Sequence, residues 1–149
     1  MQPEVVSKWL GFGVREPTTI PAGWVQVRES LRQYDSGAPP SDPHHDVRMF
    51  RLLWTPPGED LNAPGRCASY LQIDQRRAGP NEKTMSSRIE VGNGRAVGGF
   101  IHQASTCGTS GETSVFAFVG WIDHGVWFRV MSDGVEREQV LKIVQSLQR

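Results

Sequence analysis

Length, composition and charge narrow the classes of protein to which this chain can belong. Its 149 residues match the usual size of one domain, and 16 lysines and arginines balance 16 aspartates and glutamates. A chain without net charge is a poor candidate for binding nucleic acid or an anionic membrane surface. No apolar run approaches the roughly 20 residues that span a bilayer, so membrane attachment is expected only through a segment absent from this chain.

Prolines separate an irregular first third from a regular remainder, since nine of the ten lie within residues 1–64. An apolar stripe near helical spacing predicts a short helix over 3–12, with proline allowed in its first turn and glycines as stop signals. Residues 16–24 must be mostly extended, because each proline restricts its own φ and disfavours helix at the residue before it. This segment leads into a strand predicted over 24–29.

Loops and strands alternate in the middle of the chain. Residues 35–46 combine glycine, serine, aspartate and three prolines with almost nothing apolar, which is typical of a mobile surface loop. The apolar and aromatic stretch 47–55 predicts a strand, which stops at the two prolines that follow it. A second loop over 56–65 precedes a strand over 67–74, whose odd and even residues face opposite ways.

Two hairpins are predicted next. Gly92-Asn93-Gly94 separates the first pair of strands, and Asn-Gly is a strong hairpin turn because both residues tolerate positive φ. Residues 122–125 form the second turn. The strand before that turn has apolar residues on both faces, which favours an interior place in the sheet. The four strands are predicted over 86–91, 95–104, 114–121 and 126–131.

An amphipathic helix is predicted at the end of the chain. Its apolar residues recur at i, i+3, i+4 and i+7 and form one stripe, made of Val140, Ile143, Val144 and Leu147. Asp133, followed three residues later by Glu136, resembles a capping box and is expected to fix the start of the helix.

Together these elements predict a single α+β domain over residues 1–149. Its centre is a largely antiparallel β-sheet of about five to seven strands, with a short N-terminal helix and the amphipathic C-terminal helix packed on it. Nothing repeats at a period of 20–50 residues, so solenoid and propeller folds are not expected.

No stretch carries a specific catalytic, metal or nucleotide signature. Gly92-Asn93-Gly94 precedes a predicted strand instead of a helix N-terminus, which argues against a phosphate loop. His44, His45 and Asp46 hold donor atoms, but adjacent residues on a flexible loop seldom converge on one ion. The segment 108–111 lacks the Gly-x-Ser-x-Gly pattern of a nucleophile turn. We therefore expect no metal, no cofactor and no catalytic residue.

The chain has two cysteines, Cys67 and Cys107, which are either free thiols or joined in a disulfide bond. They are too few for a disulfide framework, and neither has the neighbouring cysteine or histidine of a zinc motif. Two buried free thiols and one disulfide bond are equally compatible with the spacing, and the disulfide would favour an oxidising compartment. The N-terminus lacks the pattern of a signal peptide, which fits a cytoplasmic protein or an exported domain without its leader.

Candidate binding residues surround the second hairpin turn. Five tryptophans are many for this length, and core packing explains most of them. Trp121 and Trp127 flank the same turn, so they are candidates for lining a contact surface. His124 in the turn and Arg129 in the next strand are the polar candidates beside them.

A family pattern is visible in the last forty residues. The stretch 121–130, with Trp, a turn Gly and an aromatic strand, and the stretch 138–147 with its Leu-x-x-Ile-x-x-Ser-Leu ending, resemble a family of uncharacterised domains. The family occurs as the C-terminal part of anti-sigma-factor-like proteins and of bacterial lipoproteins. The Pro-x-x-x-Pro-x-Gly-Trp core of 12–24 and Ile89-Glu-Val-Gly92 resemble its opening and its middle strand. The loop 35–46 has no counterpart there.

This resemblance implies a domain that lies outside the cytoplasm and carries no catalytic residues. It also favours a disulfide between Cys67 and Cys107. The leading hypothesis is therefore a non-enzymatic extracytoplasmic domain that binds a partner or ligand over the sheet.

Two hypotheses from other classes compete with it. One is a small hydrolase or lyase with a dispersed site, for example His102, His124, Asp123 and Arg129. The other is a structural module whose exposed aromatic residues pack against another copy.

Overall fold

The structure, a computed structural model, describes residues 2–42, 45–62, 68–84, 87–92, 95–107 and 112–148, with the backbone alone at 103–107 and 112–113. The helices in these ranges are α1 (Pro3–Leu10) and α2 (Arg137–Leu147). The strands are β1 (Val25–Asp35), β2 (Asp46–Thr55), β3 (Tyr70–Arg77), β4 (Arg88–Glu90), β5 (Ala96–Cys107), β6 (Glu112–Asp123) and β7 (Val126–Asp133).

All of these strands belong to one antiparallel sheet, in the order β1-β2-β3-β7-β6-β5-β4. Two meanders, β1 to β3 and β4 to β7, meet where β3 pairs with β7 along the middle of the sheet. The interior place predicted for β6 is confirmed, since it lies between β7 and β5. The predicted α+β class, with an antiparallel sheet and an N-terminal and a C-terminal helix, is confirmed.

Both helices pack on the same face of the sheet, which we call the covered face. Alternate residues of the strands on this face are apolar and buried, and they form one cluster with the buried residues of α1 and α2. The largest strand residues of the cluster that are completely buried are Phe50, Leu52, Leu71, Ile73, Val119, Phe128 and Val130. Burying each such side chain contributes about 1.5–3 kcal/mol, so this face is the main source of stability.

Helix α1 ends at Leu10, two residues before the predicted end. Gly11 adopts a φ of 81°, and its N–H donates to the carbonyl of Ser7. Glycine takes this left-handed conformation without steric cost, which ends the helix at that point. Val6 and Leu10 lie one turn apart and are both buried in the covered face.

The start predicted for helix α2 is wrong. Asp133 is the last residue of β7, and the N-cap is Glu136, without a side-chain capping hydrogen bond. Gly134, with a φ of 80°, redirects the chain so that Val135 enters the core before the helix begins. The apolar stripe is confirmed, since all four of its residues are buried. In the described part of the chain, neither helix is long and apolar enough to cross a membrane.

Strand β1 is longer than predicted and reaches Asp35, opposite Asp46 at the start of β2. The connection predicted over 35–46 therefore spans only 36–45, where the Ser36 N–H donates to the His45 carbonyl over 2.9 Å. Because β1 is an edge strand with mostly exposed polar side chains, its second half lacks the apolar alternation that marks a strand. A bulge lies between Gln26 and Arg28.

Candidate functional site

The face of the sheet opposite the two helices, which we call the uncovered face, carries large side chains. The strand register places them in rows that cross the sheet from β1 to β5. Its central members are Arg28, Arg32, Arg51, Leu53, Asp74, Arg76, Trp127, Arg129, Met131, Phe118, Phe116, Phe100 and His102. The buried apolar residues of both helices pack against the other face.

One half of the uncovered face is an aromatic half, formed by Phe100, His102, Phe116 and Phe118 on β5 and β6. The Phe100 ring lies at the centre, with ring centroids 4.8 Å from His102, 5.9 Å from Phe116 and 6.0 Å from Phe118. Phe100 is 39% exposed. Phe116 and Phe118 are partly buried beside it, so Phe100 and His102 form the exposed part of this half.

The other half is a basic half, organised around the fully buried carboxylate of Asp74. Arg51 donates two hydrogen bonds to it, from Nε at 2.7 Å and from Nη2 at 3.0 Å. Arg129 binds it from the other side through Nε at 3.1 Å and through Nη2. The hydrogen bond to Asp74 raises the pKa of Arg51 above its ordinary value. One carboxylate therefore holds two guanidinium groups in fixed positions.

Stacked cations join the two halves. The Arg129 guanidinium lies over Phe118 at 5.6 Å and over Trp127 at 5.3 Å from the ring centroids. Arg76 lies over the same Trp127 ring at 4.2 Å and pairs with Glu82 at 2.7 Å and 2.5 Å. These hydrogen bonds lower the pKa of Glu82. The rings and guanidinium planes therefore form a continuous preorganised surface.

A cleft of about 820 Å³ opens beside this surface, at the end of the sheet next to α1. Arg76 lines both the cleft and the uncovered face. Arg48 stacks on Trp9 at 4.9 Å and donates to the Trp9 carbonyl at 2.8 Å, while Arg77 donates to the Gly11 carbonyl at 2.8 Å. These arginines are thus engaged in closing the end of α1.

The four predicted binding residues separate into three environments. Trp127 and Arg129 lie together on the uncovered face. Trp121 is 4% exposed on the covered face and stacks on Phe128 at 5.2 Å, and its Nε1 atom has no hydrogen-bond partner among the described residues. The register explains the separation, because Trp121 lies opposite Phe128 whereas Trp127 lies opposite Ile122, one residue further and on the other face.

His124 occupies the turn of the β6–β7 hairpin and is exposed. Its φ of 49°, followed by 77° at Gly125, gives the two positive φ values of a type I′ turn. Its Nδ1 atom lies 2.5 Å from Asp123 Oδ1, and Arg15 donates to Asp123 Oδ2 at 2.8 Å. Partial burial raises the pKa of Asp123, but the hydrogen bonds from Arg15 and His124 outweigh it and lower the pKa overall.

The dispersed enzyme site is not assembled in the described residues. His102 lies opposite Phe116, and Asp123 is seven positions further along the same strand, which is about 23 Å at roughly 3.3 Å per residue. Arg129 belongs to the uncovered face, whereas Asp123 contacts Arg15 on the covered face. These side chains cannot act on one small substrate.

Several sequence candidates lie outside the described residues, namely His44, Cys67, Asn93, Gly94 and the segment 108–111. The Nδ1 atom of His45 lies 2.6 Å from the Ala38 carbonyl oxygen, in contact with the loop's own backbone. Among the described residues, no group of three or more His, Cys, Asp or Glu side chains is placed to hold a metal ion.

Sequence reasoning missed Asp74 and the aromatic half. The sequence does carry one sign of the aromatic half. Within β6, Phe116 and Phe118 alternate with small and aliphatic residues, so the two phenylalanines lie on the same face of the strand. Nothing in the sequence alone shows that Arg51 and Arg129 come from strands on either side of Asp74.

Comparisons with models of protein families, with curated proteins and with solved structures found no match. The resemblance of the C-terminal segment therefore stays a prediction.

Proposed function

We propose that this domain is a non-enzymatic binding domain that receives a partner over the uncovered face of its sheet. The observation that carries the proposal is the exposed cluster around Phe100, lying beside stacked arginines on the face opposite both helices. Aromatic residues and arginine are the residue types enriched at the energetic centres of protein interfaces.

The dimensions of the uncovered face suit a protein partner. A sheet of seven strands about 4.8 Å apart is about 29 Å wide, and an eight-residue strand such as β7 is about 26 Å long. The face therefore offers roughly 750 Å², close to the roughly 800 Å² that each partner contributes to a standard interface. The stacking and hydrogen bonds already in place reduce the entropy lost when a partner binds.

Matched serine substitutions on the two sides of the molecule test this proposal. Phe100→Ser removes the centre of the aromatic half, whereas Val5→Ser removes an apolar side chain that is 59% exposed on α1. Proteins that co-purify with the wild-type domain from the cells that make it are quantified against both variants. We expect Phe100→Ser to lose partners that Val5→Ser retains. Equal recovery with both variants would contradict the proposal.

We further propose that the domain acts outside the cytoplasm, with Cys67 and Cys107 joined in a disulfide. The support is the resemblance of residues 121–147 to extracytoplasmic domains, which lie in an oxidising compartment. Free thiols are counted in denatured, non-reduced protein from an oxidising compartment. A disulfide that raises stability by roughly 3–4 kcal/mol is expected from loop closure. Two free thiols and no effect of reductant would contradict the proposal.

A further inference from the structure

The strand residues on the two faces differ in charge, although the whole chain is neutral. Among the described strand side chains, the uncovered face carries six arginines and three carboxylates, and Glu82 from the following loop adds a fourth. The covered face carries two arginines, Arg48 and Arg77, against four carboxylates. The uncovered face thus has an excess of two positive charges even with Glu82 counted, whereas the covered face has an excess of two negative charges.

The excess positive charge is concentrated in the basic half. Arg76 is matched by Glu82, and Arg88 by Glu90 at 2.9 Å. Asp74 neutralises only one of the two guanidinium groups that it holds. Arg28 and Arg32 are exposed on β1 and form no ion pair with a described residue. Three positive charges on this half therefore lack a carboxylate in the described part of the chain, and a partner could supply it.

The basic half and the aromatic half each predict one kind of side chain in the partner. Carboxylates would pair with the basic half, where the guanidinium forks match carboxylate geometry. Apolar or aromatic side chains would pack on the aromatic half, which begins where Arg129 stacks over Phe118. The two halves adjoin, so one segment can satisfy both.

Resting on the function proposed above, we infer that the uncovered face binds an acidic protein segment that also carries aromatic or aliphatic residues. Single-stranded nucleic acid would also use stacking rings and arginines, but it needs a positive groove that follows its backbone. Here the aromatic half carries Asp133 and Tyr70 beside Phe116 instead of further cations. Charge and apolar surface together favour the peptide.

Selection from a library of random peptides displayed on phage tests the inference. Selected peptides are synthesised, and their affinity is measured for the wild-type domain and three variants. Arg28→Gln/Arg32→Gln removes two unpaired charges, Phe100→Ser removes the aromatic centre, and Lys142→Gln is the control, an exposed cation on α2. We expect peptides rich in Asp or Glu next to apolar residues. Affinity should fall roughly 5–10-fold in the double arginine variant, be unchanged in Lys142→Gln, and fall with added salt.

The outcomes separate this inference from the proposed function. Neutral or basic peptides whose binding is lost in Phe100→Ser would overturn the acidic partner and leave the binding face intact. Peptides whose affinity is unchanged in Phe100→Ser would overturn both. A labelled single-stranded oligonucleotide that binds the wild-type domain more tightly than any selected peptide, and loses affinity in the double arginine variant, would assign the face to nucleic acid and overturn the inference.

Discussion

The two faces of this sheet are ordered by different interactions. On the covered face, aliphatic and aromatic side chains meet two helices and exclude water, as at Ile73 and Ile143. On the uncovered face, no described helix supplies such cover, and side chains are held by the buried Asp74 carboxylate and by arginines stacked on rings. The difference indicates that the first face mainly stabilises the fold, and the second is the face on which we propose that a partner binds.

The largest loss of stability is expected from a substitution on the uncovered face, because the buried ion pairs of Asp74 also stabilise the fold. Asp74→Asn keeps the shape of the side chain but leaves Arg51 and Arg129 without their common counter-charge. Removing one partner of a buried ion pair costs about 3–5 kcal/mol, so urea unfolding should show a loss in that range. Arg32→Gln, on the same face, should change the free energy of unfolding by less than about 0.5 kcal/mol. Equal small effects would contradict the role given to Asp74.

The covered face is tested by Ile143→Ala. Ile143 is fully buried where α2 meets the sheet, and removing its side chain leaves a cavity. The expected loss is about 2–5 kcal/mol in the free energy of unfolding, measured by urea titration. A loss below about 1 kcal/mol would mean that α2 does not pack as described.

Acid sensitivity is expected at the edge of the covered face, where Arg15 and His124 lower the pKa of Asp123. A carboxyl whose folded pKa is lowered stabilises the fold above its unfolded pKa, and this stabilisation is lost as pH falls through the folded value. Asp123→Asn should therefore cost about 1 kcal/mol at pH 7. The difference from wild type should begin to shrink as pH falls below about 3.9 and disappear once Asp123 is protonated in the folded state, as followed by unfolding at several pH values. A difference that persists in acid would contradict the assignment.

The smallest effect on stability is expected at Phe100. Because its ring is 39% exposed and its ring contacts are with other residues of the aromatic half, Phe100→Ser should lower the free energy of unfolding by less than about 1 kcal/mol. Thermal unfolding of this variant beside Ile143→Ala gives the comparison directly. A loss as large as that of Ile143→Ala would make Phe100 a core residue instead of a binding residue.

The sequence predicted most of the covered face and little of the uncovered one. The stripe ending at Leu147 and the turn at Gly125 could be predicted because helix period and turn chemistry are local properties. Strand β1 was predicted too short because an exposed edge strand has no apolar alternation. The helix cap at Asp133 was mistaken because strand pairing extends to that residue and overrides the local capping pattern.

The candidate site was less predictable than the fold, for a topological reason. Trp127 and Arg129 were identified from their place beside a turn, but Asp74 and Arg51 join them only through the β3–β7 and β2–β3 pairings. The same pairing separates Trp121 from Trp127. Which side chains share a face of the sheet depends on register, and register between distant strands is not a local property of the sequence.

Site-specific photo-crosslinking tests the central claim most directly. A benzophenone amino acid is placed at position 100 on the aromatic half or, as the control, at position 5 on α1, and the adducts formed in the cells that make the protein are compared. The account predicts a discrete adduct from position 100 and none of the same mass from position 5. An adduct of twice the domain's mass would identify the occupant as a second copy. The same adducts from both positions, or none from position 100, would contradict the uncovered face as the binding surface.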